Sequence, residues 1–378
     1  MLNYVLTAFL LLTAGFSGAQ TTISGSFDFG GDTRTYSFYV PASYVPGEAV
    51  PLVVGLHGLS SSGADFAQYR DFKPIADTAN FIVVNPDGAT LLGLKYWNYE
   101  NIAGTNVDDV GFIEALIDTI SANYSINQNR VYCTGMSNGS FMAYYLACES
   151  DRFAAIGGVT GSMSTTMYGN CNPSHPTPII HIHGTADNTN PYIGTSTMTP
   201  IPDLIQFWVN QNSCITTPTI AAVPDIDPGD GATAEQYVYS GGVDGHTIEH
   251  FKVIEGGHSW PGGPMPSSSQ VTCMDFDASR EIWRFFSQYE KSGINDISEV
   301  SADDFAVWPN PTRDVLNIQS ENVQFDEVSI IDMQGRVVEH RSHSNSSNID
   351  ISQLKEGSYF VQISGSNFKV IKKLMVVF

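Results

Sequence analysis

The sequence predicts an α/β fold with a mostly parallel, doubly wound sheet, followed by a small all-β sandwich domain. Over residues 21–291, short apolar and β-branched runs alternate with segments of helical periodicity, which is typical of strand–helix–strand units. After residue 291 the helical period stops, and short alternating runs separated by Asn, Pro and Gly turns continue. These two sequence patterns predict two domains of different fold class.

Seven runs in the first region are predicted strands: 34–40, 51–58, 81–88, 130–135, 154–161, 178–184 and 250–257. Residues 107–124 form a predicted helix with Asp108 or Asp109 as its N-cap. Its apolar face consists of Val110, Ile113, Leu116, Ile117 and Ile120. Residues 277–291 repeat this periodicity, and the resulting helix closes the domain.

Residues 292–304 are polar and acidic, as a linker should be, and separate the two regions. The motifs "WPNPTRDVLNI", "IIDMQGRVV", "LKEGSYFVQI" and "KKLMVV" all lie within residues 305–378. Together they resemble the C-terminal sorting domain of the type IX secretion system of Bacteroidetes. The resemblance implies passage through the outer membrane by way of that secretion machinery, with the tail often removed or used for attachment.

The amino terminus and the charge limit where the protein works. Residues 1–19 hold an apolar stretch from Tyr4 to Phe16, followed by Ser17 and Ala19, which predicts an export signal. That stretch is too short for a membrane anchor, and no later run is long enough to be one. The net charge of -22 argues against nucleic acid as a partner. We expect a secreted protein, extracellular or attached to the cell surface.

The five cysteines fit an oxidising compartment, and no CxxC motif suggests zinc or a redox pair. Because the count is odd, one thiol stays free. Cys133 lies inside a predicted apolar strand and is expected to be that thiol. The remaining cysteines then give the expected pairs Cys148 with Cys171 and Cys214 with Cys273.

The segment "GMSNG", residues 135–139, fits the GxSxG pattern, in which small residues allow a sharp turn from strand to helix that projects the serine hydroxyl. Such a serine needs a base to take its proton and an acid to orient that base. His258 follows a predicted strand and two glycines, and Asp187 follows another strand. The order Ser137, Asp187, His258 is the one expected of an α/β-hydrolase, so these residues are the predicted nucleophile, acid and base.

Ester hydrolysis also requires hydrogen-bond donors for the oxyanion of the tetrahedral intermediate. In this fold they are the backbone N–H of the residue after the nucleophile, here Asn138, and one after an early strand, here Leu59. The side chain of His57 is either a packed turn residue or part of the site. His181 and His183 share one strand face, but no third ligand accompanies them, so packing is favoured over a metal site. No cofactor is expected.

A set of six segments carries a second resemblance: "LHGLSSSGADF", "YWN", "VDDVGFI", "RVYCTGMSNGSFMAYYLACE", "HGTADNTNPY" and "GGHSWPGG". They resemble the esterase/polyhydroxybutyrate depolymerase family, which includes the feruloyl and acetylxylan esterases of carbohydrate esterase family 1. The resemblance spans residues 25–290 and implies the same triad of Ser137, Asp187 and His258.

Two features depart from that family. Leu59 and Tyr96 stand where many relatives carry cysteines, so a bridge between those two loops is absent. Ser140 follows Gly139 where a second glycine is usual, which tightens packing at the serine turn without removing the nucleophile.

Trp97, Tyr192 and Trp260 lie on loops near the predicted triad and are expected to line an aromatic substrate cleft. The resulting prediction is a secreted serine esterase acting on feruloylated or acetylated plant polysaccharide. One alternative is a polyhydroxybutyrate or other polyester depolymerase. Another, of a different class, is an inactive hydrolase-fold module that binds glycans.

Overall fold

The computed structural model describes residues 21–264, 270–291, 305–320, 325, 327–332, 336–342, 348–365 and 368–377. The chain divides into two compact units, residues 1–292 and 293–378. The predicted export signal over residues 1–19 and the predicted linker over residues 292–304 lie outside the described residues.

A ten-stranded sheet forms the centre of the first unit. The strands of this unit are β1 (Thr21–Phe29), β2 (Asp32–Val40), β3 (Val50–Leu56), β4 (Ile82–Pro86), β5 (Ala89–Leu91), β6 (Leu94–Tyr96), β7 (Ile126–Met136), β8 (Ala155–Val159), β9 (Ile179–Gly184), β10 (Thr219–Ala222), β11 (Thr233–Tyr239) and β12 (Ile248–Ile254). Six of them run parallel in the order β4-β3-β7-β8-β9-β12. Antiparallel strands extend the sheet at both edges, and β5 pairs with β6 in a separate hairpin.

Helices cover both faces of this sheet. They are α1 (Gly63–Tyr69), α2 (Lys73–Ala79), α3 (Asp109–Ser121), α4 (Asn138–Glu149), α5 (Thr165–Asn170), α6 (Ile201–Gln211) and α7 (Ala278–Phe286), with short 3₁₀ turns at Ile102–Gly104 and Val243–Gly245. Apolar residues of α3, α4, α5 and α6 pack in one core, and those of α1, α2 and α7 pack in a second core on the opposite face. Alternation along each strand explains this division, since neighbouring side chains point to opposite faces.

The structure confirms the α/β-hydrolase class. All seven predicted strands coincide with strands of the sheet, and the two predicted helices are α3 and α7. The N-cap of α3 is Asp108, whose carboxylate accepts a hydrogen bond from the N–H of Gly111. Asp109 is instead buried and pairs with Arg34 at 2.6 Å.

The second unit is an all-β sandwich, as predicted. Its strands are β13 (Ala306–Trp308), β14 (Val315–Gln319), β15 (Glu327–Asp332), β16 (Val337–Ser342), β17 (Asn348–Asp350), β18 (Gly357–Gly365) and β19 (Phe368–Val376). They form two antiparallel sheets, in the orders β13-β14-β17 and β16-β15-β18-β19, around one shared apolar core. None of the helices in the described ranges combines the length and the apolar character that a membrane crossing requires.

The cysteines correct one prediction. Cys148 at the end of α4 forms a disulfide with Cys171 after α5, and Cys133 is a buried free thiol. The expected pair of Cys214 and Cys273 is wrong, because both are buried free thiols. Cys214 belongs to the core on one face of the sheet and Cys273 to the core on the other face, so the sheet separates them.

Candidate active site

Ser137 occupies the turn between strand β7 and helix α4. Its backbone has φ 55° and ψ -120°, a strained conformation for a residue with a side chain and one typical of a nucleophile at such a turn. Two flanking glycines allow the turn to close. A Cβ at Gly135 would lie 2.3 Å from the carbonyl carbon of Gly139, and one at Gly139 would lie 2.2 Å from the Leu56 oxygen.

Ser140, the departure from the usual double glycine, fits this turn because small residues face it. Ser140 is fully buried, and a Cβ added at Gly161 would lie 2.5 Å from the Cβ of Ser140. The end of β8 therefore provides the space that Ser140 takes.

Asp187 lies three residues after β9, and its carboxylate is completely buried. Oδ1 accepts hydrogen bonds from the N–H groups of Thr189 at 2.8 Å and Asn190 at 2.9 Å. Oδ2 lies 2.8 Å from Nδ1 of His258, on the loop that follows β12. A carboxylate can only accept here, so Nδ1 of His258 carries the proton and Nε2 is left with a lone pair. This is the arrangement that a general base requires.

The three predicted catalytic residues come from the carboxyl ends of β7, β9 and β12, which run parallel and open at one edge of the sheet. Hydrogen bonding joins Asp187 to His258. Within the described residues no hydrogen bond connects Ser137 to His258, a contact that often tightens only when substrate is bound.

The loop after β3 lies beside the nucleophile. A Cβ at Gly58 would lie 3.5 Å from Cβ of Ser137, and both Leu59 and Asn138 line the same cleft as Ser137. Asn138 is the first residue of α4, where a backbone N–H has no acceptor within the helix. A hydrogen bond of 2.8 Å from the N–H of Ser60 to the Lys95 carbonyl joins this loop to β6.

His57 supports this loop and is completely buried. Its Nε2 accepts a hydrogen bond of 2.9 Å from the N–H of Gly88, so its Nδ1 carries the proton that is shared with the Gly58 carbonyl at 2.7 Å. Burial lowers the pKa of His57, which keeps the ring neutral in this role. Its side chain holds the backbone that presents Leu59.

The prediction that Trp97 lines the cleft is wrong. The side chain is completely buried, and its indole N–H donates to the His57 carbonyl at 3.0 Å. The amide of Asn138 brackets the Trp97 backbone, accepting from its N–H at 2.7 Å and donating to its carbonyl at 3.2 Å. Trp97 therefore connects the loop of Leu59 to the start of α4.

The predictions for Trp260 and Tyr192 are also wrong. Trp260 is buried edge-on against Phe66 with 5.6 Å between ring centroids, and its indole N–H donates to Ser279. Tyr192 is half-buried, and its hydroxyl lies 2.9 Å from Nε2 of His250. Neither side chain lines the cleft that holds Ser137. Both rings fill space behind the catalytic loops.

The cleft around Ser137 has a volume of about 900 Å³ and is lined by residues of two chemical kinds. The apolar and aromatic lining residues are Leu59, Leu91, Leu92, Leu94, Tyr96, Tyr99 and Phe141. The lining residues with hydroxyl groups include Ser164, Thr165, Thr166, Thr189, Thr195 and Thr197. Glu100 lies in the same cleft, where its carboxylate accepts a hydrogen bond from Ser164.

Two known protein families match parts of this chain. The family model described as "Esterase PHB depolymerase" matches residues 34–176. The model described as "Secretion system C-terminal sorting domain" matches residues 306–377, so the second unit marks the protein for export to the exterior or the cell surface.

Two curated relatives align with about two thirds of this chain. The bifunctional acetylxylan esterase/xylanase XynS20E of Neocallimastix patriciarum is 27% identical over 70% of this chain, which spans 34% of the length of that protein. Feruloyl esterase D of Neurospora crassa is 26% identical over 68% of this chain and 83% of its own length. Among solved structures, the acetyl xylan esterase from Aspergillus awamori covers 70% of this chain and 99% of its own, with a TM-score of 0.48 and 15% identity.

Several residues of the cleft were not predicted from the sequence. Tyr99 and Phe141 stack with 5.1 Å between ring centroids, and Glu100 follows the first of these rings. The most visible signal was "LLGL" over residues 91–94, where a glycine turn lies among leucines. Those leucines belong to the β5–β6 hairpin that borders the cleft.

Proposed function

We propose that the protein is a secreted serine esterase that hydrolyses feruloyl or acetyl esters of plant polysaccharides through an acyl-enzyme. The observation that carries the proposal is the buried Asp187–His258 pair, which leaves Nε2 of His258 as a base at the sheet edge where Ser137 lies in a strained turn. The match of residues 34–176 to the family model described as "Esterase PHB depolymerase" supports ester hydrolysis as well.

In the first half of the reaction, Ser137 Oγ attacks the ester carbonyl while His258 Nε2 takes the hydroxyl proton. The imidazolium that forms is stabilised by the buried carboxylate of Asp187. The N–H groups of Leu59 and Asn138 stabilise the oxyanion, each by about 3 kcal/mol in the transition state. His258 then protonates the leaving alkoxide, and the alcohol departs.

In the second half, water enters and His258 Nε2 takes one of its protons as the oxygen attacks the acyl-enzyme. The same two N–H groups stabilise the second tetrahedral intermediate. Collapse of that intermediate releases the acid and returns the proton to Ser137.

The lining of the cleft supports the substrate class, because it combines apolar and hydroxyl-bearing residues. The stacked pair of Tyr99 and Phe141 gives an aromatic acyl group a matching surface. The hydroxyl groups of the serine and threonine residues that line the cleft, together with the Glu100 carboxylate, suit the hydroxyls of a sugar. Relatives named feruloyl esterase and acetylxylan esterase are consistent with this pairing.

A polyester depolymerase is the second candidate, and the exposed leucines of the rim favour it. Leu59, Leu92 and Leu94 line the cleft and are 59%, 95% and 50% exposed. Exposed apolar side chains around a catalytic cleft suit contact with an aliphatic polymer.

The test compares wild type with Ser137→Ala, using kcat/KM on methyl ferulate, an acetylated xylooligosaccharide and a 3-hydroxybutyrate oligomer. The proposal predicts that wild type prefers one of the two plant-type esters by about 100-fold over the oligomer. It also predicts that Ser137→Ala loses about 10⁴-fold in kcat/KM on that substrate. A preference for the oligomer would establish the second candidate, and hydrolysis of none of the three would overturn both.

A further inference from the structure

We propose that Tyr144, His181 and His183 form a buried chain of hydrogen bonds that positions the catalytic acid Asp187. The proposal rests on the proposed function, because it assigns these three residues a part in the same reaction. They act through the loop of residues 187–190 and do not touch the substrate. We call these three side chains the relay.

The relay connects the helix that begins at the nucleophile to the loop that carries the acid. The hydroxyl of Tyr144, on α4, lies 2.7 Å from Nδ1 of His181, on β9. Nε2 of His181 lies 3.2 Å from Nδ1 of His183, two residues further along the strand. Nε2 of His183 lies 2.8 Å from the carbonyl oxygen of Asn190 and 3.5 Å from Oδ2 of Asp187. All three relay side chains are completely buried.

The last acceptor fixes the direction of every proton in the relay. A carbonyl oxygen can only accept, so Nε2 of His183 carries a proton and donates it to Asn190. Nδ1 of a neutral His183 then accepts, which places the proton of His181 on Nε2. Nδ1 of His181 accepts in turn, and the hydroxyl of Tyr144 donates. Each side chain therefore has one defined tautomer or rotamer.

Burial keeps the relay uncharged. It lowers the pKa of His183 and lowers that of His181 well below the usual value. The titratable groups that face the relay are Asp187, His258, His250 and Tyr192. Neutral rings can donate to Asn190 without placing a positive charge beside the Asp187 carboxylate that must stabilise the His258 imidazolium.

The acid loop depends on this donor. The Asn190 carbonyl accepts from His183, while the N–H of the same residue donates to Oδ1 of Asp187 at 2.9 Å. The side chain of Asn190 also donates to the Thr160 carbonyl at 2.7 Å. With Asn190 held from three sides, Asp187 is fixed in the orientation that meets His258. Loss of the His183 donor would free one side of this loop and orphan a buried carbonyl.

A buried chain of polar side chains is a costly way to fill a core, since apolar residues would pack there without desolvation. A neutral histidine ring accepts on one nitrogen and donates on the other, so it can pass a hydrogen-bond chain through its body. Packing alone therefore does not explain the polar side chains of the relay. Their position does, because the chain of hydrogen bonds ends at the loop of the catalytic acid.

The test uses the full chain and an activated ester, p-nitrophenyl acetate, so that substrate specificity plays no part. His183→Leu removes both relay contacts, and we expect kcat to fall about 10- to 100-fold with KM unchanged, because a displaced acid acts on the transition state. His183→Gln keeps a donor and an acceptor, and we expect kcat within about threefold of wild type. His250→Leu is the matched control, since it removes an equally buried histidine that bonds to the His181 carbonyl and Tyr192 but not to the acid loop.

A double-mutant cycle tests whether Tyr144 acts through His183. Tyr144→Phe removes the first donor, and the double variant with His183→Leu should lose no more kcat than His183→Leu alone. The far-downfield proton signal of His258 Nδ1–H gives a second readout, which we expect to broaden or disappear in His183→Leu and to remain in His250→Leu. Retention of wild-type kcat and of this signal in a folded His183→Leu variant would overturn the relay, as would an equal loss of kcat in His250→Leu. Failure of wild type itself to hydrolyse the ester would instead contradict the proposed function.

Discussion

Burial fixes the protonation states of several histidines in this protein. His181, His183 and His250 lie side by side on β9 and β12, and each has a lowered pKa because burial disfavours the charged ring; that of His250 falls to about 3. His258 differs from these three, because 14% of its side chain is exposed and its Nδ1 lies 2.8 Å from Oδ2 of Asp187. Exposure and this partner distinguish the proposed base from its neighbours.

These buried histidines should make the fold sensitive to mild acid. The unfolded chain protonates each ring near pH 6.5, whereas the folded chain does not, so the free energy of unfolding falls as the pH drops below 6.5. His250, whose pKa falls to about 3, contributes about 1.4 kcal/mol per pH unit between pH 6.5 and 5, and His181 and His183 increase the slope in the same direction. Urea unfolding at pH 7, 6 and 5 measures this slope. His250→Phe should reduce it by about 1.4 kcal/mol per pH unit, and a slope that is the same in this variant would refute the account.

The proposed catalytic residues could be chosen from the sequence because chain order and strand ends constrain them together. The sequence alone indicated Ser137, Asp187 and His258, and the last two meet in the structure. The aromatic residues were not predictable in the same way. Trp97 and Trp260 follow strands as closely as the catalytic residues do, but which side of a loop a ring faces depends on packing from distant elements. The relay was not predicted because the sequence indicated only packing for His181 and His183, and their bonds to Tyr144 and to the loop of Asn190 depend on the assembled fold.

At the scale of elements, the β5–β6 hairpin shows the strongest local conflict between sequence and conformation. Leu91 pairs with Leu94, which leaves Leu92 and Gly93 as a two-residue turn. Both have positive φ, 51° and 82°, and such turns favour Asn or Gly at the first position. Leu92 is also 95% exposed and lines the cleft, so neither conformation nor burial explains a leucine there. Under the proposed function, contact with substrate accounts for this leucine.

The hairpin therefore gives a prediction that separates stability from binding. Leu92→Asn should leave the free energy of unfolding unchanged or raise it by about 0.5 kcal/mol, because Asn tolerates this backbone conformation better. KM for an ester with an apolar acyl group should rise about threefold to tenfold as apolar contact is lost. Ile226→Asn is the control, since Ile226 is 70% exposed and lies outside the cleft lining. An unchanged KM in Leu92→Asn would remove the hairpin from the substrate site.

The seven strands and two helices that were predicted all carry strong periodicity, and the structure contains each of them. Prediction of the disulfides required more than hydrophobic periodicity. Cys148 and Cys171 close a short segment between neighbouring helices, which sequence spacing can suggest. Cys214 and Cys273 lie in cores on opposite faces of the sheet, and the face on which each packs follows only from the assembled fold.

At the scale of the whole molecule, chemistry and export are assigned to different units. The first unit holds the cleft, the Asp187–His258 pair and the relay, and the second matches a secretion sorting domain over residues 306–377. The net charge of -22 suits a protein that must stay soluble after export. The two sequence patterns thus correspond to two domains with different functions. The central claim about the first domain is that Ser137 is an activated nucleophile.

Labelling with a fluorophosphonate probe tests that claim most directly, because the probe reacts covalently only with a serine whose proton is taken by a base. The protein and its Ser137→Ala variant would be treated with the probe, digested and mapped by mass spectrometry, with circular dichroism to show that both are folded. The account predicts one label, on Ser137, and none in the variant. A folded wild-type protein that remains unlabelled, or that carries its label on another serine, would contradict it and favour a hydrolase fold that binds glycans without cleaving them.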